Sequence, residues 1–176
     1  MSDYAKDELF DLIVKDKESF NEYVKNADEL DMSELDFSNI TLTDVTFSGA
    51  DMTGCSFTEA NLTNVDFSNT DLTSADFSRA NIVECDFSGA LLNGTEFSYA
   101  VVSYSNFTDA DVAGAVFNES DLSNSDFAGA DNMEACRFDE ETVWPEQDLL
   151  PEDFDTTYTK DLSSLEDDDD SHGSEY

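Results

Sequence analysis

Residues 60–79 read ANLTN VDFSN TDLTS ADFSR. In each block of five, Asp or Asn stands second, a bulky apolar residue third, and Ser or Thr fourth. The design continues in both directions. From 37 to 127 every tenth residue is phenylalanine. Midway between these stand Met32, Leu42, Met52, Leu62, Leu72, Ile82, Leu92, Val102, Val112 and Leu122. A bulky apolar residue therefore returns every five positions over about a hundred residues. So long a run of one short period specifies a solenoid, not a domain around a single central core.

Each position has a physical reason. The residue two before the bulky centre is usually small, as at Ala50, Cys55, Ala60, Ala75, Cys85 and Ala100. Residues two apart in extended chain point to the same side, so one large and one small side chain fill a narrow interior. The last position is Gly or Asn in ten of the twenty regular units. Both tolerate positive φ, so this position reads as a corner. Short extended sides joined by regular corners make a β-helix.

Units such as Ala60-Asn61-Leu62-Thr63-Asn64 and Ala75-Asp76-Phe77-Ser78-Arg79 resemble those of the pentapeptide-repeat family, whose pattern is A-(D/N)-L-x-x. The resemblance covers roughly residues 30–140. It implies an all-β solenoid, a right-handed quadrilateral (four-sided) β-helix with four units, hence twenty residues, in each coil. Phenylalanine would then stack on two opposite faces and the aliphatic centres on the other two.

A solenoid needs caps at both ends. Residues 1–29 read as an N-terminal α-helical cap, with Leu9, Phe10, Ile13 and Val14 on one apolar face and Phe20, Tyr23, Val24 and Ala27 on another. Asp16 is the expected N-cap of the second helix. Leu30, Leu35, Ile40 and Val45 put large residues where later coils have small ones, as a floor for the helices. The repeat spans 30–140, with one extra residue near Asn132 read as a bulge and further centres at Met133 and Phe138. Thr142-Val143-Trp144-Pro145 opens a C-terminal capping segment over 141–160, in which Leu149, Leu150, Phe154 and Tyr158 cover the last coil. Residues 161–176, with the acidic run 167–170, read as a disordered tail.

The chain carries 43 acidic and 7 basic residues, a formal charge of −36. The acids are spread over every segment: nine in 1–30, eighteen in 31–131 and sixteen in 132–176. Such a surface excludes direct nucleic-acid binding and docking on anionic lipid. Spread this evenly, the charge fits adaptation to high intracellular salt, as in a halophile. No secretory leader and no apolar run of membrane-spanning length is visible, and three cysteines at unpaired spacings suit a reduced cytoplasmic protein.

No catalytic residues stand out. The single histidine, His172, lies in the acidic tail. The Ser and Thr residues read as outward ladders, Cys55 and Cys85 as small interior hydrophobes, and the column of Asp51, Asp71, Asp111 and Asp131 as a product of the period. Neither a metal site nor a cofactor is expected. The reading is a non-enzymatic scaffold that presents a rigid acidic surface to a protein partner, or to a second copy as a dimer. The family resemblance supplies an alternative, since some members mimic duplex DNA and modulate DNA gyrase, a type II topoisomerase. Sorted by face, the fewest acids fall on the side centred on Leu42, Leu62, Ile82, Val102 and Leu122: Asp44, Glu84 and Asp121. Val83, Val101 and Tyr104 lie outward there, with Tyr99 and Val116 near its corner on the adjoining side. These five residues form the expected partner-binding patch.

Overall fold

The computed structural model describes residues 4–27 and 29–157. Tyr158 and the expected tail at 161–176 lie outside the described residues. The chain folds as a right-handed, four-sided β-helix beneath two helices, α1 (Lys6–Lys15) and α2 (Lys17–Asn26). One side of the coil forms a regular parallel sheet of β1 (Thr41–Thr43), β2 (Asn61–Thr63), β3 (Asn81–Val83) and β4 (Val101–Ser103), in that spatial order. The register is Leu42 to Leu62 to Ile82 to Val102, so each coil takes twenty residues. The other three sides are joined coil to coil by single parallel bridges, for example Asp51 to Asp71 and Ser56 to Asp76.

The corners fall where the period put them. Every fifth residue from 34 to 124 has φ between +52° and +74°. Only some are Gly or Asn. Arg79, Tyr99 and Tyr104 adopt the same left-handed conformation, at φ of 62°, 63° and 55°. The Asp that precedes each centre has a local task. Its carboxylate accepts from the backbone N–H two residues on, as Asp66 does from Ser68 at 2.9 Å and Asp76 from Ser78 at 2.8 Å. This Asx-type contact braces the corner and accounts for much of the acidity of the rod.

Inside, the phenylalanines form two columns. Rings one coil apart lie nearly parallel, with centroids 4.7 Å apart for Phe57–Phe77 and 4.8 Å for Phe87–Phe107. The columns meet edge to face across the interior, as in Phe67–Phe77 at 5.7 Å and 89°. Both geometries suit the ring quadrupole. Small polar residues on the inner wall bond to carbonyls of the coil before: Thr70 to Phe47, Thr95 to Leu72 and Ser125 to Val102.

The helices continue these columns. Phe10 lies 5.3 Å from Phe37, and Phe20 lies 5.6 Å from Phe47. Leu9, Ile13 and Val24 are buried with them. Asp16 caps α2 as expected, accepting from Ser19 N–H at 3.1 Å. Val14 departs from expectation: it is 62% exposed, because the apolar stripe of α1 is carried by Leu9, Phe10 and Ile13. The first coil leaves unpaired backbone groups at its open edge, and polar side chains of the cap meet several of them. Lys6 donates to the Ser33 carbonyl, Lys17 to that of Thr43, and Asn21 accepts from Thr46 N–H.

At the other end the coil widens. Asn132 takes a left-handed conformation at the expected bulge, followed by a 3₁₀ turn, Met133–Ala135. Val116 then pairs with Arg137 rather than residue 136. A second residue enters before the next side, so that Asp121 pairs with Val143 rather than residue 141. Trp144 closes both phenylalanine columns, 5.7 Å from Phe117 and 5.7 Å from Phe127. Phe138 and Phe154 pack on its ring.

Candidate functional site

The sheet face is made by alternation. In each strand the centre points inward and its two neighbours point outward, so Leu42, Leu62, Ile82 and Val102 are buried. The outward residues of β1 and β2 are Thr and Asn. In β3 Val83 stands half-buried opposite Ser103, and in β4 Val101 stands 42% exposed between Asn81 and Asp121. Tyr99 and Tyr104 occupy the corners on either side of β4, at 49% and 65% exposure. Four of the five expected patch residues therefore frame one stretch of surface.

Val116 does not join them as an exposed group. It is only 8% exposed, flanked in register by the long side chains of Glu96 and Arg137. Another valine takes its place on the patch. Val143, 49% exposed, continues the column Val101–Asp121 on the sheet face. The five-residue count misses it, because two inserted residues shift its register. Leu91, 44% exposed, lies apart on the Leu92 side, between Asp71 and Asp111.

The Tyr99 corner holds a cation. The Arg79 guanidinium lies over the Tyr99 ring, 5.0 Å from its centroid. Arg79 forms no ion pair with Glu59, one coil before it; among the described residues the ion pairs are those of Lys6, Lys15, Lys17 and Lys25 in the cap. The carboxylate of Glu119, one coil on, holds the Tyr99 phenol above its ordinary value. One coil apart at a single corner, Arg79, Tyr99 and Glu119 form a cation–aromatic–carboxylate stack.

Elsewhere the groups able to do chemistry are engaged or inert. Burial pushes the Cys55 and Cys85 thiols up to about 11 and Cys136 up to about 12, so all three are protonated at neutral pH. Asp51, Asp71 and Asp111 spend one carboxylate oxygen on the N–H of Thr53, Thr73 and Ala113. Among the described residues, no group of three His, Cys, Asp or Glu side chains is placed to hold a metal ion. Nor is any helix there long and apolar enough to cross a membrane.

A family model described as a pentapeptide repeat region matches residues 28–97 and 63–142. Among solved structures, Rfr23, a pentapeptide repeat protein from the cyanobacterium Cyanothece 51142, shares 19% identity at a TM-score of 0.63, over 72% of this chain and 98% of that one. That likeness is one of fold. A pentapeptide repeat protein from Nostoc PCC 7120 shares 35% identity at a TM-score of 0.35, covering 60% of this chain and 77% of its own. QnrB1, a plasmid-mediated fluoroquinolone resistance protein, shares 24% at a TM-score of 0.45, over 62% of this chain and 57% of that one. No curated protein sequence matches significantly. Repeat, coil and family match agree, and the chain belongs to the pentapeptide repeat family.

Proposed function

We propose that the protein is a non-enzymatic scaffold of the cytoplasm, a rigid acidic rod that presents its β1–β4 face to a protein partner. One observation carries the reading. On a chain of net charge −36, exposed Tyr99, Val101 and Tyr104 gather on and beside the side with the fewest acids. The repeat does not call for them. Val101 stands where most units have Asp or Asn, and both tyrosines stand at corners that suit Gly or Asn. Apolar and aromatic groups clustered on a charged surface mark a contact site. The uniform interior gives that face a fixed shape, so binding orders little beyond a few side chains.

The test is the double variant Val101→Asp/Tyr104→Asp. It should abolish association with other proteins in lysate at native salt while the circular dichroism and melting of the rod stay as in the parent. Unchanged association by the double variant would sink the reading. A gyrase supercoiling assay separates this reading from duplex-DNA mimicry. Inhibition that survives the double variant would assign the acidity, not the patch, to function.

A further inference from the structure

The two tyrosine corners share a backbone geometry but not their neighbours. Tyr99 and Arg79, one coil apart, have φ of 63° and 62°. Tyr104 and Glu84, also one coil apart, have φ of 55° and 55°. Ser103 pairs with Val83, so the next residues, Tyr104 and Glu84, occupy the same corner of successive coils. At the first corner the position below the ring supplies a guanidinium, and it lies on the ring. At the second the same position supplies a carboxylate, and Tyr104 is the more exposed ring, at 65%. Tyr104 and Glu84 therefore offer an aromatic face beside a carboxylate, and among the described residues no cation pairs with either.

We infer that the Tyr104–Glu84 corner receives an arginine side chain from a basic segment of the partner protein. The inference rests on the β1–β4 face being the presented one, and it names the chemistry of the occupant. Charge complementarity selects a cationic partner, since the chain carries 43 acids and 7 bases. A second copy is a poor occupant. It brings the same −36 charge and only two arginines, of which Arg79 is already stacked. The guanidinium is preferred over an ammonium on physical grounds: it is planar, weakly hydrated, and can lie on a ring while donating to a carboxylate. Stacking also survives salt that screens simple charge attraction. Val101, exposed on the strand leading to this corner, gives the partner backbone an apolar seat.

The experiment titrates the full chain with two capped peptides of equal length and charge, one alternating Gly and Arg, the other Gly and Lys. Binding is read by calorimetry in dilute buffer and at about 1 M KCl, where the Debye length is about 3 Å. The arginine peptide should bind more tightly than the lysine peptide, and the gap should persist in salt. Tyr104→Ala should weaken the arginine peptide about two- to fivefold, the span of an exposed cation–π contact. Glu84→Gln should weaken it too, whereas Glu34→Gln, an exposed corner on the Met32 face, should not. Equal binding of the two peptides, or an arginine preference that survives Tyr104→Ala, overturns the inference. So does concentration-dependent self-association lost on Tyr104→Ala, which would make the occupant a second copy. If the peptides are not distinguished but Val101→Asp/Tyr104→Asp still abolishes association, the face stands and only the arginine assignment falls.

Discussion

Tyr104 sits in a backbone conformation that suits it badly. At φ 55° its Cβ crowds the following carbonyl, a strain that Asn or Gly at the equivalent corners Asn64 and Asn124 largely escapes. Tyr104→Asn should therefore stabilise the rod by about 1 kcal/mol, read by denaturant melting, even as it removes the ring proposed to meet the partner. A loss of stability instead would mean that Tyr104 packs for the sake of the fold. The cysteines give a second test at this scale. Cys85 is raised to about 11 by burial, so folding favours its thiol form. That contribution is present in full below the unfolded thiol value of about 8.5 and is lost as pH climbs toward 11. Stability should fall across that window, and the native protein should resist alkylation at pH about 8 while the unfolded chain reacts. The Asp of each repeat shows how far single residues could be read in advance. Its recurrence is plain in the sequence, but its bond to the N–H two residues on depends on the corner geometry, which the period alone does not describe.

The phenylalanine column is the element on which the rod depends. Phe87 contacts Phe67 and Phe107 in its own column and Phe77 and Phe97 in the other. Phe87→Ala should cost about 3–5 kcal/mol in equilibrium unfolding, because stacked coils close poorly on a void. An effect near that of an exposed residue would contradict the lattice. The columns could be read from the ten-residue spacing of phenylalanine. Their ends could not. Phe10 and Phe20 extend them only because the two helices dock in one rotation, and no period relates a helix of 3.6 residues per turn to a coil of twenty. The same limit applies to the patch. Val83, Tyr99, Val101 and Tyr104 fall on their faces by counting in twenties, since nothing is inserted before them. Val116 and Val143 escape the count, the first through Arg137 beside it, the second through the two residues inserted in the last coil.

The charge acts on the molecule as a whole. Among the described residues every ion pair belongs to the cap lysines, such as Lys6–Asp31 at 2.6 Å and Lys17–Asp44 at 3.2 Å. Beyond the first coil the carboxylates stand in columns with coil-to-coil spacing of about 4.8 Å or small multiples of it. Asp71 is bridged in register to Asp51, and Asp86 to Asp66. Within about 10 Å, the Debye length near 0.1 M salt, such charges repel across about two coils; at about 1 M the range shrinks to about 3 Å, less than one coil. The few cap ion pairs lose little to the same screening, being worth about 0–1 kcal/mol each at the surface. The balance favours salt. The melting temperature should rise from dilute buffer to molar KCl, steeply at first and then more slowly as the Debye length drops below the coil spacing. NaCl at equal ionic strength should reproduce the curve, because screening depends on ionic strength and not on the cation. A melting temperature indifferent to KCl would show that the carboxylates cost the fold nothing. The acidity would then need its explanation in a cationic partner along the whole rod, instead of at the single Tyr104 corner.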